Sequence, residues 1–451
     1  MDIGLDALPE ALAGLAVRPG DPDYQWVRSS RMRGGRPALV LRVRNAHEVA
    51  EAVVFAGARP VPLSVRSGGH GFSGRSTNHG GIVIDLSAMN RIEVLDEGSR
   101  LVRIEPGARW GEVAAALHPH GWALTSGDHS AVGVGGLATA GGIGLLGREQ
   151  GLTIDRMRAA EIVLADGRQL RVSAHENADL FWAVRGAGFA FGVVTAFEFA
   201  AEPVGLLGHA HLIQDAIDTA AFLRAWAEAA RSAPRDTTAF LTVGRPHDGR
   251  VIAQSTILVD CEDTDLIRAR IRPFLAAGPP LVQHVGLADY SDVVPEPEGL
   301  CTAEGEPVSR SGLLDRLGPA AARAAADLIT GGESHFFQLR AMGGAIADVD
   351  SAATAFAHRS AAFQVVAMGI DPARLDRSWE PLRAHLSGLY VSFETDIRPE
   401  RLTEAFPPDT LARLVELKKT YDPHNVFHDN LDLTRAPAGR RSEPRPRPEL
   451  R

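Results

Sequence analysis

The chain has 451 residues, more than one hydrophobic core usually covers, so two domains are expected. Its 45% hydrophobic and 23% charged residues are typical of an ordinary globular protein. The formal net charge of −9 comes without a dense basic block in the folded part, which argues against nucleic acid as a partner.

Two further classes of protein are not favoured by the sequence. Residues 1–20 lack a basic n-region followed by an unbroken apolar stretch, so no secretory signal is predicted and a cytoplasmic location is expected. No run of about 18 apolar residues predicts a membrane span. The two cysteines, Cys261 and Cys301, lie far from any metal-ligand spacing, so neither a metal site nor a disulfide framework is expected.

The first 200 residues alternate between strands and helices, with glycines concentrated at strand ends. A strand over 38–43 leads into a helix that opens at Asn45, where Glu48 completes a capping-box pattern. Asp166-Gly167 is typical of a tight hairpin turn. Further strands are predicted near 61–66, 82–86, 101–105, 160–165, 168–173 and 192–199, and further helices over 110–118 and 177–185.

From about residue 205 the pattern changes to longer helices and a second set of strands, which indicates an insert with its own sheet. Helices are predicted over 215–232, 312–329 and 350–358, and strands near 239–244, 250–258, 334–341 and 362–369. A helix over 411–421 and a turn-rich element at 422–425 end the folded part. The Pro/Arg-rich residues 435–451 predict a disordered tail.

A run of small residues follows the apolar residues 61–65 and reads Arg66-Ser67-Gly68-Gly69-His70, with Gly71 and Ser73 after it. Adjacent glycines leave backbone N–H groups bare enough to form an anion-binding nest, and Arg66 adds a positive charge. The pattern therefore predicts a phosphate site. His70 comes directly after the nest, and the residues alone leave open whether it is a base, a ligand or an attachment point.

A second glycine cluster covers residues 127–144 and is denser than the first. Such density indicates that the backbone approaches a large flat or phosphorylated ligand closely over a long distance. No Gly-x-Gly-x-x-Gly fingerprint follows the first strand, so a Rossmann-type grip is not expected.

Four motifs lie in register with one another, at 66–70, at 132–136, at 182–188 with 191–194, and at 421–427. Together they resemble the berberine bridge enzyme-like flavoproteins of the p-cresol methylhydroxylase/vanillyl-alcohol oxidase superfamily. The resemblance covers roughly residues 20–433. Residues 61–74 and 122–147 are most similar to the bacterial 6-hydroxy-D-nicotine oxidase branch.

The resemblance implies an α+β fold with a PCMH-type FAD-binding domain and a substrate domain. The FAD-binding domain would consist of two α/β sub-domains over 1–204, with a return of the chain over 396–434. The substrate domain over 205–395 would place an antiparallel sheet, covered by helices, over the isoalloxazine ring. The tail over 435–451 would follow.

The resemblance also implies how FAD is held. The loop from Arg66 to Gly71 would bind the pyrophosphate, and His70 would bond to the 8α-methyl carbon of the flavin. The cysteine that forms a second bond in many relatives is His129 here, so a single covalent bond is expected. The implied cofactor-binding residues are Arg66, Ser67, Gly68, Gly69, His70, Gly71, Ser73, Gly127, Asp128, His129, Val132, Gly133, Gly135, Gly136, Thr139, Gly142, Gly144, Val194 and Asn430.

The implied reaction is hydride removal from a carbon bearing an amine or hydroxyl group, with reduction of O2 to H2O2. Val132 matches a position where valine leaves room for oxygen, which favours an oxidase. The scarcity of charge in the strands near 334–345 and 362–369 favours a small, apolar-leaning substrate. A dehydrogenase, an oxidative cyclase and a flavin-binding protein without turnover are the alternatives. Candidate catalytic residues are Tyr390, Gln364, Gln338 and His335, and neither the base nor the oligomeric state is predicted.

Overall fold

The computed structural model describes residues 8–294, 303–428 and 430–437. Cys301 and the predicted disordered residues 438–451 lie outside the described residues. No helix in the described ranges combines the length and the apolar character needed to cross a membrane.

The chain begins with a four-stranded sheet in the order β1-β2-β4-β3. Strands β2, β4 and β3 run parallel, as crossover connections of this length allow. Helix α3 begins as predicted, because the Asn45 side chain accepts the Glu48 N–H at 3.0 Å. The elements are β1 (Ala16–Val17), β2 (Leu39–Arg42), β3 (Leu63–Arg66), β4 (Ile82–Asp85), α1 (Glu10–Ala13), α2 (Tyr24–Val27) and α3 (Ala46–Gly57).

A five-stranded antiparallel sheet follows, in the order β5-β6-β10-β8-β9. Strands β8 and β9 form the hairpin predicted around Asp166-Gly167. The sequence analysis missed β5, whose residues are mostly exposed. The strands are β5 (Ile92–Asp96), β6 (Leu101–Ile104), β7 (Trp122–Ala123), β8 (Met157–Val163), β9 (Gln169–Ser173) and β10 (Val193–Ala200), and the helices are α4 (Trp110–Leu117), α5 (Val134–Ala140), α6 (Gly147–Gln150) and α7 (Ala178–Ala187).

The next part of the chain builds a seven-stranded antiparallel sheet, in the order β15-β12-β14-β13-β17-β18-β16. A short strand, β11 (Glu202–Pro203), pairs with β7 just before it. The strands are β12 (Leu207–Asp215), β13 (Thr237–Gly244), β14 (Ile252–Val259), β15 (Pro280–Ala288), β16 (Val308–Leu314), β17 (Ser334–Ala341) and β18 (Phe363–Gly369).

Helices cover one face of this sheet and bury a separate hydrophobic core against it. The opposite face turns towards the first part of the chain. The covering helices are α8 (Thr219–Ser232), α9 (Thr264–Leu275), α11 (Pro319–Thr330) and α13 (Pro372–Arg383), and two short helices, α10 (Tyr290–Val293) and α12 (Ala345–Asp348), lie in the connections. The mixed α+β architecture agrees with the predicted fold class.

Three predicted elements differ from the structure. The helix expected over 312–329 begins only at Pro319, because residues up to Leu314 pair as β16 with β18. No helix forms over 350–358, since the N–H groups of Ala355 and Phe356 donate to carbonyls of the α7 segment instead of to their own turn. The helix expected over 215–232 begins only at Thr219, because residues up to Asp215 pair as β12 with β14.

The last described part of the chain returns to the first sheets through α14 (Glu400–Ala405) and α15 (Pro408–Tyr421). The buried Lys418 ammonium donates to Asp422 at 2.7 Å and to the carbonyl oxygens of Ala190 and Phe427, both at 2.8 Å. A charged group without water is stable only when it is paired and hydrogen-bonded in this way. Lys418 therefore fastens the C-terminal return to the segment before β10. The 3₁₀ turn over Leu433–Arg435 reaches into the predicted tail.

Candidate active site

A cavity of about 800 Å³ lies between residues of the first 200 positions and the face of the seven-stranded sheet that the helices leave open. One wall, which we call the loop wall, consists of residues 67–73, most residues of 127–136, and Phe427 and Asn430 from the returning chain. The other, the sheet wall, carries side chains of β17 and β18 and of residues 390–393. Both glycine clusters found in the sequence thus meet at one site.

The two glycine-rich loops of the loop wall are in direct backbone contact with each other. A side chain on Gly68 would overlap the Gly133 nitrogen, and one on Gly133 would overlap the Ser67 hydroxyl and the Gly68 nitrogen. Gly136 is different, because nothing lies within 4 Å of the position that its side chain would take. Bare backbone there faces the cavity, and a flat ligand can lie directly against it.

Arg66 does not line this cavity, although the nest pattern predicted a phosphate contact. Parallel pairing of β3 with β4 places Arg66 opposite Asp85, and its guanidinium donates to that carboxylate at 2.8 Å. It also donates to the carbonyl oxygens of Val27 and Ser29. Arg66 therefore orders the base of the loop. Arg31 does line the cavity beside this loop, and its backbone N–H donates to Gly69 O at 3.0 Å.

His70 and His129 stand side by side in the loop wall, with ring centroids 4.8 Å apart and planes tilted by 49°. Burial, with the nearby charges of His129, Arg31 and Arg109, lowers the pKa of His70 to about 3. The Ala131 N–H donates to His129 Nδ1 at 3.1 Å, which leaves the ring proton on Nε2. His70 is therefore a neutral imidazole at physiological pH, able to act as a nucleophile.

Three polar side chains join the two walls, and we call them the Asp128 cluster: Asp128 of the loop wall, and Gln338 and Arg340 of the sheet wall. Phe336, Gln338 and Arg340 alternate along β17 and so point to the same face. Arg340 donates to both carboxylate oxygens of Asp128, at 2.9 and 3.0 Å, and Gln338 Nε2 donates to Asp128 at 2.7 Å. Asp128, predicted to contact the cofactor, is thus bound across the cavity by the sheet.

Two polar atoms of this cluster are buried without a hydrogen-bond partner among the described residues. They are Gln338 Oε1 and Arg340 Nε. A buried acceptor without a partner costs free energy until a ligand supplies a donor. Gln338 Oε1 is therefore a docking point for an N–H or O–H group.

Aromatic rings surround the Asp128 cluster. Phe72 packs against Phe393 and Phe336, with centroid distances of 4.8 and 5.9 Å. The Arg340 guanidinium lies 4.5 Å from the centroid of the Phe393 ring. Met368 of β18 also lines the cavity, which shows that the even-numbered residues of that strand face it. The space beside the Asp128 cluster is apolar.

The other predicted catalytic residues have distinct surroundings. Tyr390 lines the cavity, but its hydroxyl accepts the Gly142 N–H at 3.1 Å, and burial raises its pKa. Gln364 shares the face of Arg340, its register partner, yet is completely buried outside the cavity lining, where it donates to Val365 O. His335 lies exposed at the rim, next to a register shift in β17. Partial burial of the ring, together with the nearby charge of Arg245, lowers its pKa.

Most residues predicted to contact the cofactor do line the cavity. They are Ser67, Gly68, Gly69, His70, Gly71, Ser73, Gly127, Asp128, His129, Val132, Gly133, Gly135, Gly136, Thr139, Val194 and Asn430. Gly142 and Gly144 lie outside it, because they pack against Thr153 and Ser126.

Sequence reasoning missed Arg31, Phe72, Phe336, Arg340, Met368 and Phe393. The alternation along β17 was the one available signal for Phe336 and Arg340.

The fold and the cavity define an FAD-dependent oxidoreductase, and comparison with known proteins agrees. Residues 37–173 match the family described as FAD binding domain, and residues 390–432 match the family described as berberine and berberine like. An uncharacterized FAD-linked oxidoreductase of Bacillus subtilis is 29% identical over 442 residues, which cover 92% of this chain and 96% of that protein. These matches agree with the four motifs, which resemble the berberine bridge enzyme-like FAD-linked oxidases.

Two solved structures extend this comparison. The 6-hydroxy-D-nicotine oxidase from Arthrobacter nicotinovorans is 26% identical, with a TM-score of 0.81 over 95% of this chain and 99% of that chain. Glucooligosaccharide oxidase from Acremonium strictum has a TM-score of 0.78 at 23% identity, over 93% of this chain and 96% of that chain, and supports the fold alone. Its structure is described with a 6-S-cysteinyl, 8α-N1-histidyl FAD.

Proposed function

We propose that this protein is an oxidase whose FAD is held by one covalent bond, from His70 to the 8α carbon of the flavin. Its substrate is a small, largely apolar molecule that loses a hydride from a carbon bearing an amine or hydroxyl group, while O2 becomes H2O2. The observation that carries the proposal is the neutral His70 imidazole between two glycine loops that face an aromatic cavity.

The residues of the loop wall fit FAD. Gly136 offers bare backbone beside open space, and Arg31 supplies a positive charge in the cavity lining. Bound FAD would supply hydride acceptance and electron transfer to O2. A single bond is supported by position 129, where a histidine rather than a cysteine lies 4.8 Å from the His70 ring. Val132 lines the same wall and leaves room for a molecule as small as O2.

The sheet wall supports the proposed substrate class. Phe336 and Phe393, with Phe72 of the loop wall against them, offer apolar contact, and Gln338 Oε1 needs a donor. An amine or alcohol has that donor next to the carbon that reacts. The charge of Arg340 is already balanced by Asp128, so no negative charge on the substrate is required to neutralise it. The residues would therefore bind a neutral substrate and hold its N–H or O–H group at Gln338.

A panel of amines and alcohols of increasing apolar size tests this function. We expect bleaching of the flavin absorbance without air and one H2O2 per substrate oxidised in air. Reduced flavin that persists in air would indicate a dehydrogenase instead. If no member of the panel bleaches the flavin, the alternative of a flavin-binding protein without turnover is favoured.

A further inference from the structure

The motif at 182–188 lies beside the cavity, where only its last residue, Gly188, belongs to the lining. Its other residues form the end of α7, and the helix breaks there: ψ is 67° at Arg185 and φ is 135° at Gly186. A side chain on Gly186 would come within 2.4 Å of the Phe356 nitrogen. Both the backbone angle and this close contact therefore require glycine. The break makes room for a distant part of the chain.

The segment that enters this break is 352–356, which we call the strap. It belongs to the connection between β17 and β18, the strands whose side chains form the sheet wall. Four hydrogen bonds, two donated from each side, join the strap to the broken end of α7. They are Ala355 N–H to Trp182 O (3.2 Å), Phe356 N–H to Arg185 O (3.3 Å), the Trp182 indole N–H to Ala352 O (2.8 Å) and the Arg185 guanidinium to Ala353 O (3.1 Å). The motif at 182–188 thus holds the strap against the first part of the chain.

A buried ion pair fixes the strap at its C-terminal end. Arg359 is only 3% exposed and donates to both carboxylate oxygens of Asp155, at 2.8 and 2.9 Å. The same guanidinium donates to Phe356 O at 3.0 Å. Removing one partner of a buried ion pair is strongly destabilising, so the fold depends on both. The backbone of Phe356 is therefore held from two directions, by α7 and by Arg359.

The ring of Phe356 reaches Tyr390 of the sheet wall. The two rings meet edge to face, with centroids 6.1 Å apart. Both pack on Gly141, where an added side chain would lie 3.1 Å from Phe356 and 3.2 Å from Tyr390. Tyr390 in turn meets Phe393, one of the rings around the Asp128 cluster, with centroids 5.1 Å apart. Phe356 does not itself line the cavity, so it supports these rings from behind.

We propose that Phe356 is a positioning residue, which holds the Tyr390 ring in the sheet wall and the Tyr390 hydroxyl at the Gly142 N–H. That N–H donates to the hydroxyl at 3.1 Å, and Gly142 lies two residues beyond α5, whose residues also line the cavity. Tyr390 thus links the sheet wall to α5, and the strap sets the position of one relative to the other through Phe356. This role concerns the shape of the cavity, so it applies to any ligand that contacts Tyr390.

Hydrogen exchange at the Gly142 amide, followed by mass spectrometry on the flavin-loaded, full-length protein, tests this role. Phe356→Leu should speed this exchange about tenfold, as expected for the loss of an aromatic pair. Tyr390→Phe lacks the hydroxyl acceptor and sets the upper limit of the rate. Phe274→Leu is the matched control, since Phe274 is also buried and meets Trp226 edge to face at 5.8 Å, but in the core beneath the helices. It should lower thermal stability as Phe356→Leu does and leave Gly142 unchanged.

Ligand binding gives a second readout that needs no turnover. The affinity for benzoate, measured from the shift of the flavin absorbance, should fall about fivefold in Phe356→Leu and stay unchanged in Phe274→Leu. The proposal is overturned if Phe356→Leu changes neither exchange at Gly142 nor benzoate affinity, or only one of them, or if Phe274→Leu changes them equally. If Phe356→Leu does not fold, Trp182→Phe takes its place, because it removes the indole N–H that donates to Ala352 O. Faster exchange at Gly142 in that variant supports the proposal, and unchanged exchange overturns it.

Discussion

The loop wall of the cavity is shaped mainly by its backbone, whereas the sheet wall acts mainly through its side chains. The loop wall is shaped by missing side chains, because Gly68 and Gly133 let two loops meet backbone to backbone. The sheet wall acts through the side chains that are present, above all Arg340 and Gln338 on Asp128. Changes in the loop wall should therefore act sterically and on the cofactor, whereas changes in the sheet wall should adjust charge and ligand preference.

The largest effect is expected at His70, where the loop wall carries its reactive side chain. His70→Ala should abolish covalent flavin, because no other nucleophilic group is expected to replace the imidazole. The measurement is the yellow colour that stays with the protein after acid precipitation. His129→Ala is the matched control and should keep the colour. Covalent flavin in His70→Ala would show that another residue forms the bond.

Glu394 tests the support of the sheet wall, since it accepts the Ser311 N–H of β16 at 3.1 Å. Burial raises its pKa from 4.5 to about 7, against the charge of Arg310. The folded protein thus binds this proton more tightly than the unfolded chain, so the contribution of Glu394 to stability is greatest below about pH 4.5 and is lost as pH rises to about 7.

Glu394→Gln should remove this pH dependence, worth up to about 3 kcal/mol between pH 4 and pH 8. The free energy of unfolding in urea at both pH values measures it. Glu416→Gln, on the exposed side of α15, is the control and should leave the dependence in place. An unchanged pH slope in Glu394→Gln would contradict the assignment.

Gly133→Ala tests the steric nature of the loop wall. The added methyl group would overlap Ser67 and Gly68 and push the loops apart, at a cost of about 2 kcal/mol. We expect lower thermal stability and reduced flavin loading. Gly14→Ala has open space around the new methyl group and should be close to neutral. Equal stability of the two variants would mean that the loops are not in close contact.

The smallest effect is expected for Asp128→Asn, which removes the counter-charge of Arg340 in the sheet wall while keeping the size and shape of the side chain at position 128. Benzoate, an anionic aromatic probe, should bind about tenfold more tightly, equivalent to about 1.4 kcal/mol. The shift of the flavin absorbance on titration measures this without turnover. Adding Arg340→Gln should cancel the gain. Unchanged benzoate affinity in Asp128→Asn would show that Asp128 does not balance Arg340.

The loop wall was largely predictable because its geometry depends on a residue type that the sequence shows directly. Close backbone contact demands glycine, so Gly68, Gly69, Gly133 and Gly136 could be recognised from the sequence. Arg66 shows the limit of this reasoning. Its charge suggested a phosphate, but the strand register gave it Asp85 as a partner, and register between distant strands cannot be read from a local pattern.

The sheet wall was less predictable for a related reason. Alternation along 334–341 shows that two faces exist but not which one meets the cavity. The sequence around Arg340 does not indicate that its partner is Asp128, which lies 212 residues away in the chain. Hydrogen bonds to distant residues also explain why the helix expected over 350–358 does not form, since the Ala355 N–H donates to Trp182 O. Local propensity predicted α3 and the β8–β9 hairpin because their contacts are local.

The buried Lys418 has a consequence for the order of events during biosynthesis. It ties the last described helix to Ala190 and Phe427, and Phe427 and Asn430 belong to the cavity lining. A ribosome makes these residues after the whole of the seven-stranded sheet. The cavity is therefore complete only once residues up to Asn430 have emerged, and a translation product that stops before Phe427 would lack part of the wall on which cofactor loading depends.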